Sequence, residues 1–209
     1  MKLTKDFYIR TDVVRIAHEL IGKVLITQMD GIYTSGIILE TEAYNGVFDK
    51  ACHAYNGRRT ARNEVMYSEG GNAYIYLCYG IHHLFNVVTN NSGLPDAVLI
   101  RAIYPLDGLR DILIRRNRKL IDKTVAGGPG TVSQALGLHT GLSGKTLYKT
   151  PYWIEDRKIK IDSAAIKITK RIGVESAGKD ALLPYRFVAD FNYFHKHDNI
   201  DKFRRDKKR

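Results

Sequence analysis

The chain has 209 residues with 33 Lys+Arg against 22 Asp+Glu, a net charge of +11, and a length that lets one core bury roughly 70% of the unfolded surface. With 44% apolar and 26% charged residues, disordered, collagenous and solenoid classes are excluded. No apolar run approaches the ~20 residues of a spanning helix, so a membrane span is excluded.

The start, Met1-Lys2-Leu3-Thr4-Lys5-Asp6, lacks an apolar segment of signal-peptide type, which predicts a cytoplasmic protein. The two cysteines, Cys52 and Cys78, suit a reducing compartment, and neither has a partner at zinc-ligand spacing, so no metal is predicted.

In chain order, Thr11-Asp12 followed by Val13, Val14, Ala17, Leu20 and Ile21 predicts a capped amphipathic helix ended by Gly22. A short strand over 23–27 and an Asp30-Gly31 turn lead into a β-branched strand over 32–41, which puts Glu40 and Glu42 at a strand end. Residues 45–71 read as a long polar loop with short helical turns, and ordered loops of that length are usually functional. Two antiparallel strands, 72–79 and 81–89, are expected to hinge at Tyr79-Gly80, and Asn90-Asn91-Ser92-Gly93 turns the chain into a buried strand over 97–102. Pro105 is expected to precede a basic helix over 106–120, and Pro129-Gly130-Thr131 to open a short helix ending near Leu136-Gly137. Short strands are expected at 153–154, 158–161, 165–169 and 186–188. No linker divides the chain, so the order predicts one α+β domain on a mostly antiparallel sheet.

Charge is unevenly placed: residues 1–100 hold 9 basic and 10 acidic residues, residues 101–209 hold 24 and 12. Lys and Arg gain free energy on a polyanion by releasing its counterions, so the charge points to a nucleic acid first and an anionic membrane surface second, and the second half is expected to supply most of the grip on a nucleic acid. Each basic run taken alone fits a solvated helix face or a frayed terminus better than a binding site.

Three groups of residues can carry chemistry. Glu40 and Glu42 share a face if their strand continues, and a carboxylate at the edge of a core can activate water; both also fit solvated strand-end charges. Four of the 13 tyrosines fall between Tyr67 and Tyr79, with Tyr74 and Tyr76 on one strand face and Tyr79 at a hairpin tip. Such rings can stack on bases or wedge between them, or be half-buried strand residues. His53 sits in the long loop before Arg58-Arg59-Thr60-Ala61-Arg62-Asn63, a setting that fits phosphate contact by Arg58 and Arg62 or ordinary loop ion pairs.

Taken with Ala51-Cys52-His53, Asn86, Leu99-Ile100-Arg101-Ala102, Gly128-Pro129-Gly130, Gln134-Ala135-Leu136 and Arg171-Ile172-Gly173-Val174, these stretches resemble the alkyladenine (3-methyladenine, or methylpurine) DNA glycosylases. They follow the family order over about residues 8–190. The resemblance implies a single glycosylase domain over residues 1–201, with a curved, mostly antiparallel sheet, surrounding helices and a protruding hairpin. A basic tail, 202–209, follows as an accessory DNA clamp or a disordered end.

It also implies a monofunctional, cofactor-free, monomeric enzyme, with no membrane partner and nucleoid-associated if bacterial, that flips a damaged purine out of double-stranded DNA and hydrolyses its N-glycosidic bond. By resemblance Glu42 is the general base, and Arg101 and the carbonyl of Val174 complete the cradle of the water. Tyr44, His53 and Tyr76 sandwich the flipped base, Asn86 crowds the amino group of guanine, and Tyr79 fills the gap in the stack. A protein that binds damaged DNA without catalysis, and an RNA-binding protein, are the rival readings.

Overall fold

In a computed structural model the described residues are 1–195 and 200–204. Nine strands form one sheet, every pairing antiparallel: β1 Val24–Met29, β2 Ile32–Tyr44, β3 Ala73–Cys78, β4 His82–Thr89, β5 Asp96–Asp107, β6 Tyr148–Lys149, β7 Tyr152–Glu155, β8 Ile166–Thr169 and β9 Arg186–Ala189. Their order is β3-β4-β5-β2-β1-β7-β6, with β9 pairing both the far end of β2 and β8. Helices α1 Lys5–Tyr8, α2 Val13–Leu20, α3 Leu109–Arg116, α4 Pro129–Leu136 and α5 Phe191–His195 surround it, so the α+β expectation holds. No helix among the described residues is long and apolar enough to cross a membrane.

Local chemistry accounts for most boundaries. The Asp12 carboxylate caps α2 by accepting the Arg15 N–H at 2.9 Å, and the helix buries Val13, Ile16, Ala17 and Leu20 against β2. Asp30 and Gly31 both take positive φ and close the β1–β2 hairpin. The loop of 45–71 is held by three 3₁₀ turns and by Asn63, whose amide donates to the carbonyls of His53 and Arg58.

Several expectations need correction. Pro105 does not precede a helix: β5 runs through it to Asp107, and Pro105 lies opposite Gly36 where the β2–β5 register slips, one of the few places where a strand tolerates a residue without N–H. The basic helix is therefore only Leu109–Arg116, stopped by Asn117 in the left-handed region. Residues 158–161 form no strand. Glu40 and Glu42 lie inside β2 and are buried, not solvated at its end. At the C-terminus Ile200–Phe203 make a 3₁₀ turn, and the expected basic tail falls partly on residues 205–209, outside the described residues.

The sheet separates two apolar regions. The main core takes Ala73, Ile75, Phe85, Val87, Val98, Ile100 and Ala43 with α2 and α4. A smaller cluster on the opposite face takes Tyr74, Val88 and Ala97 with Cys52, Ala54, Met66 and Tyr67 from the loop. Strict alternation along β3 sends Ala73 and Ile75 to the first and Tyr74 and Tyr76 to the second.

Candidate active site

Register assembles the site. Tyr74 lies opposite Asn86, Asn86 opposite Leu99, Leu99 opposite Glu42, and Glu42 opposite Arg186, giving one row of side chains across β3, β4, β5, β2 and β9. The adjoining row holds Val88, Ala97 and Tyr44. Beyond the slip at Gly36, the β2–β5 register slips twice more beside the site: Ile38 pairs with Ile103, Glu40 with Ala102 and Thr41 with Ile100, so Leu39 and Arg101 have no direct partner. Bulges of this kind re-aim a side chain, and here the guanidinium of Arg101 spans both carboxylates. Its Nε donates to Glu40 Oε1 at 2.8 Å and its Nη1 to Glu42 Oε2 at 3.2 Å.

Glu42 has no exposed surface. Its Oε2 also accepts from the Tyr44 hydroxyl at 2.9 Å, and its Oε1 from the Ile172 N–H at 2.8 Å. Burial raises its pKa above the ordinary carboxylate range, against the pull of Arg101, the Ile172 N–H and the Tyr44 hydroxyl. A carboxylate so placed is a proton acceptor kept basic by its surroundings.

Beside it lies a cavity of about 530 Å³ lined by Tyr44, His53, Tyr76, Asn86, Arg101 and Val174, with Tyr79 at its mouth and Gly128–Thr131 at the start of α4 on one side. Glu42 does not line this cavity, but Tyr44, Arg101 and Ile172, which bond it directly, do. The His53 ring meets Tyr76 edge-on at 4.7 Å, and its Nδ1 pairs with the Tyr74 hydroxyl at 3.0 Å. Its packing, then Arg62 and Arg58, push its pKa down, which favours the neutral ring. Asn86 uses its amide N–H groups on the carbonyls of Tyr74 and Leu84, at 3.0 and 3.3 Å. The carbonyl of Val174 accepts from the Ala177 N–H at 2.9 Å and has a second lone pair to offer. Burial pushes the Cys52 thiol up to about 12, so it is not a thiolate nucleophile.

The hairpin presents Tyr79 90% exposed, at φ 51°, next to Gly80 at φ 73°. Arg62 lies over the Tyr76 ring and donates to the Leu77 carbonyl at 3.1 Å, so it braces the hairpin. Arg58 is exposed and lines a neighbouring cavity on the other side of His53, not the main one.

Sequence reasoning assigned no role to several residues that complete the site. Arg171 is buried and paired with Asp49 through both nitrogens of its fork; it also donates to the carbonyls of Ala43 and Asp180 at 2.8 and 3.0 Å and stacks on Tyr44. His82 lines the cavity mouth against Gly130, where a Cβ would come within 2.9 Å of the ring. Contacts of such long sequence separation leave no local signal.

Residues 6–192 match the family model for methylpurine-DNA glycosylase. The chain belongs to this family. A Chlamydia felis protein named "Putative 3-methyladenine DNA glycosylase" is 50% identical over 189 residues, 89% of this chain and 95% of its own. Proteins of the same name from Clostridium acetobutylicum and Bacillus cereus are 39% and 40% identical, covering 92% and 97% of this chain and 96% and 100% of theirs. Membership of the methylpurine-DNA glycosylases makes the chain a DNA repair enzyme with DNA as its substrate, and its matched region contains the whole cavity.

Proposed function

We propose that this methylpurine-DNA glycosylase extrudes an alkylated or deaminated purine from double-stranded DNA into the aromatic cavity and hydrolyses its N-glycosidic bond with water. The observation that carries this reading is the buried Glu42, held by Arg101 and one residue behind the cavity wall. Extrusion costs a few kcal/mol, least for damaged or mispaired bases, so the lesion itself contributes selectivity. Tyr44, His53 and Tyr76 offer electron-rich faces, which attract a cationic alkylated purine.

In the reaction the C1′–N bond breaks with its electron pair leaving on the base, and the water oxygen bonds to C1′. Glu42 takes the proton of that water, steadied by Arg101 and the Val174 carbonyl, and its negative charge favours the positive sugar. Asn86 restricts the space beside position 2 of the purine, Tyr79 fills the gap in the stack, and Arg58 and Arg62 meet the DNA backbone. No lysine lines the cavity among the described residues, which supports base release without a Schiff-base intermediate.

The test is single-turnover release of free base from duplexes containing 3-methyladenine or hypoxanthine. Glu42→Gln is expected to abolish release while retaining binding to a duplex with an abasic-site analogue; full release by this variant would sink the mechanism. Because burial raises the pKa of Glu42, the wild-type rate should rise with pH along an acid limb placed above the ordinary carboxylate range.

A further inference from the structure

Glu40 stands two residues before the proposed base, and nothing in the reaction above uses it. Its Oε1 accepts two guanidinium hydrogen bonds, from Arg101 Nε at 2.8 Å and from Arg186 Nε at 2.7 Å. Arg186 is fixed in turn by donating through Nη1 to Thr169 Oγ1 at 3.1 Å, across the β8–β9 pair. The four groups make an alternating chain, Arg186–Glu40–Arg101–Glu42, with balanced charge and little exposure. Arg101 is the bulged residue of β5, so the strand ladder alone does not set its direction. Its Nε–H is the donor nearest the backbone, and whatever holds Nε decides where Nη1 lies.

The chain also divides two cavities. Arg101 lines the aromatic one, whereas Glu40 lines a second, of about 640 Å³, together with Lys123, Lys167 and Asp190. A carboxylate facing that second space would swing away from Arg101 without another cation on the same oxygen, and Arg186 is that cation.

We propose that Glu40 and Arg186 are positioning residues for the glycosylase reaction, holding Arg101 by its Nε so that its Nη1 meets the Glu42 carboxylate and its remaining donor faces the cavity. This rests on the assignment of Glu42 as the base. The charged and titratable groups around Glu42 are Glu40 and Tyr44 on its own strand, Arg101 on β5, Arg186 opposite it on β9, Tyr76 on β3, and Arg171 in the segment before Ile172. Glu40 is the carboxylate among them that disfavours ionisation of Glu42. Removing its charge makes Glu42 easier to ionise; removing Arg186 leaves the charge of Glu40 less compensated and makes Glu42 harder to ionise.

The experiment measures single-turnover base release against pH, together with binding to a duplex containing an abasic-site analogue, for the wild type, Glu40→Gln and Arg186→Gln. Both variants should lose about tenfold in plateau rate, as expected for a misplaced reacting group, with binding unchanged. The acid limb should move in opposite directions, down in pH for Glu40→Gln and up for Arg186→Gln, by roughly half a unit. A purely structural loss lowers both rates without moving the limbs apart, so coincident limbs, a shared direction or wild-type plateaus overturn the proposal. If Glu40→Gln does not fold, Arg186→Gln decides alone: a limb that stays or moves down overturns it. Glu42→Gln, run in parallel, separates the two claims, since full activity there refutes the base assignment itself.

Discussion

At the scale of single residues, the site combines groups that gain nothing for the fold. Glu42 is a charge with no exposed surface, tolerated because three donors meet it, yet still harder to ionise than in water. Tyr79 carries an aromatic side chain at positive φ, 90% exposed, where a glycine would be less strained; strain of this kind collects at functional positions. Tyr79→Ala should therefore leave the thermal midpoint nearly unchanged, since the ring touches little, while it weakens binding to lesion duplex by about 1–3 kcal/mol, the worth of a stacked base. Titration of a labelled lesion duplex alongside thermal melts would check this, and unchanged affinity would remove Tyr79 from the role. That a tyrosine sits at the hairpin tip was legible from Tyr79-Gly80 between two strand patterns. That Glu42 is buried was not, because burial depends on β5, β9 and Ile172.

At the scale of elements, the long loop of 45–71 becomes a wall of the site because one buried pair ties it down. Asp49 and Arg171 are 122 residues apart in sequence, and the same guanidinium holds the end of β2 through the Ala43 carbonyl and the 3₁₀ segment Glu175–Leu182 through the Asp180 carbonyl. The residue after Arg171 donates its N–H to Glu42. Removing one partner of such a pair leaves an uncompensated buried charge, so Asp49→Asn should cost roughly 3–5 kcal/mol, read as a fall in the denaturant midpoint. Base release should fall further than the folded fraction does, because the Ile172 N–H loses its place; activity that merely follows the folded fraction would limit the pair to stability. Local patterns did reveal the Asp12-capped helix, the Asp30-Gly31 hairpin and the two faces of β3. They misread Pro105, since only the slipped register opposite Gly36 makes room for it inside β5.

At the scale of the whole molecule, the basic second half is less free to grip DNA than its charge suggests. Arg115 joins α3 to the sheet at Thr34 and to α4 at Ala135, and Arg116 joins it to α4 at Gln134 and to the Val125 carbonyl. Arg157 holds Asp107, Glu155, Tyr33 and the Phe203 carbonyl, and Arg171 and Arg186 are committed to the site. Neutralising Arg115, Arg116 or Arg157 acts on folding first. Arg157→Gln should lower the thermal midpoint by several degrees, because Asp107 and Glu155 lose their shared guanidinium partner. Arg58→Gln, on an exposed side chain whose backbone is pinned by Asn63 and Tyr67, should leave the midpoint unchanged and reduce the slope of log affinity against log salt by about 0.9. Fluorescence titrations at several salt concentrations, paired with melts, separate the two; a salt slope unchanged in Arg58→Gln would place that residue off the DNA.

The sequence by itself determined the α+β class, the capped helix, the hairpin turns and the alternation that sends tyrosines to one face, because these depend on neighbours within a few residues. Its ordered motifs also carried the family. Tertiary structure alone decided that Glu40, Glu42, Arg101 and Arg186 form one chain of charges, and that Asp49 and Arg171 lock the loop. It also decided which arginines remain outside. Register, bulges and burial bring together side chains separated by tens to more than a hundred residues, and no local pattern records which of them will meet.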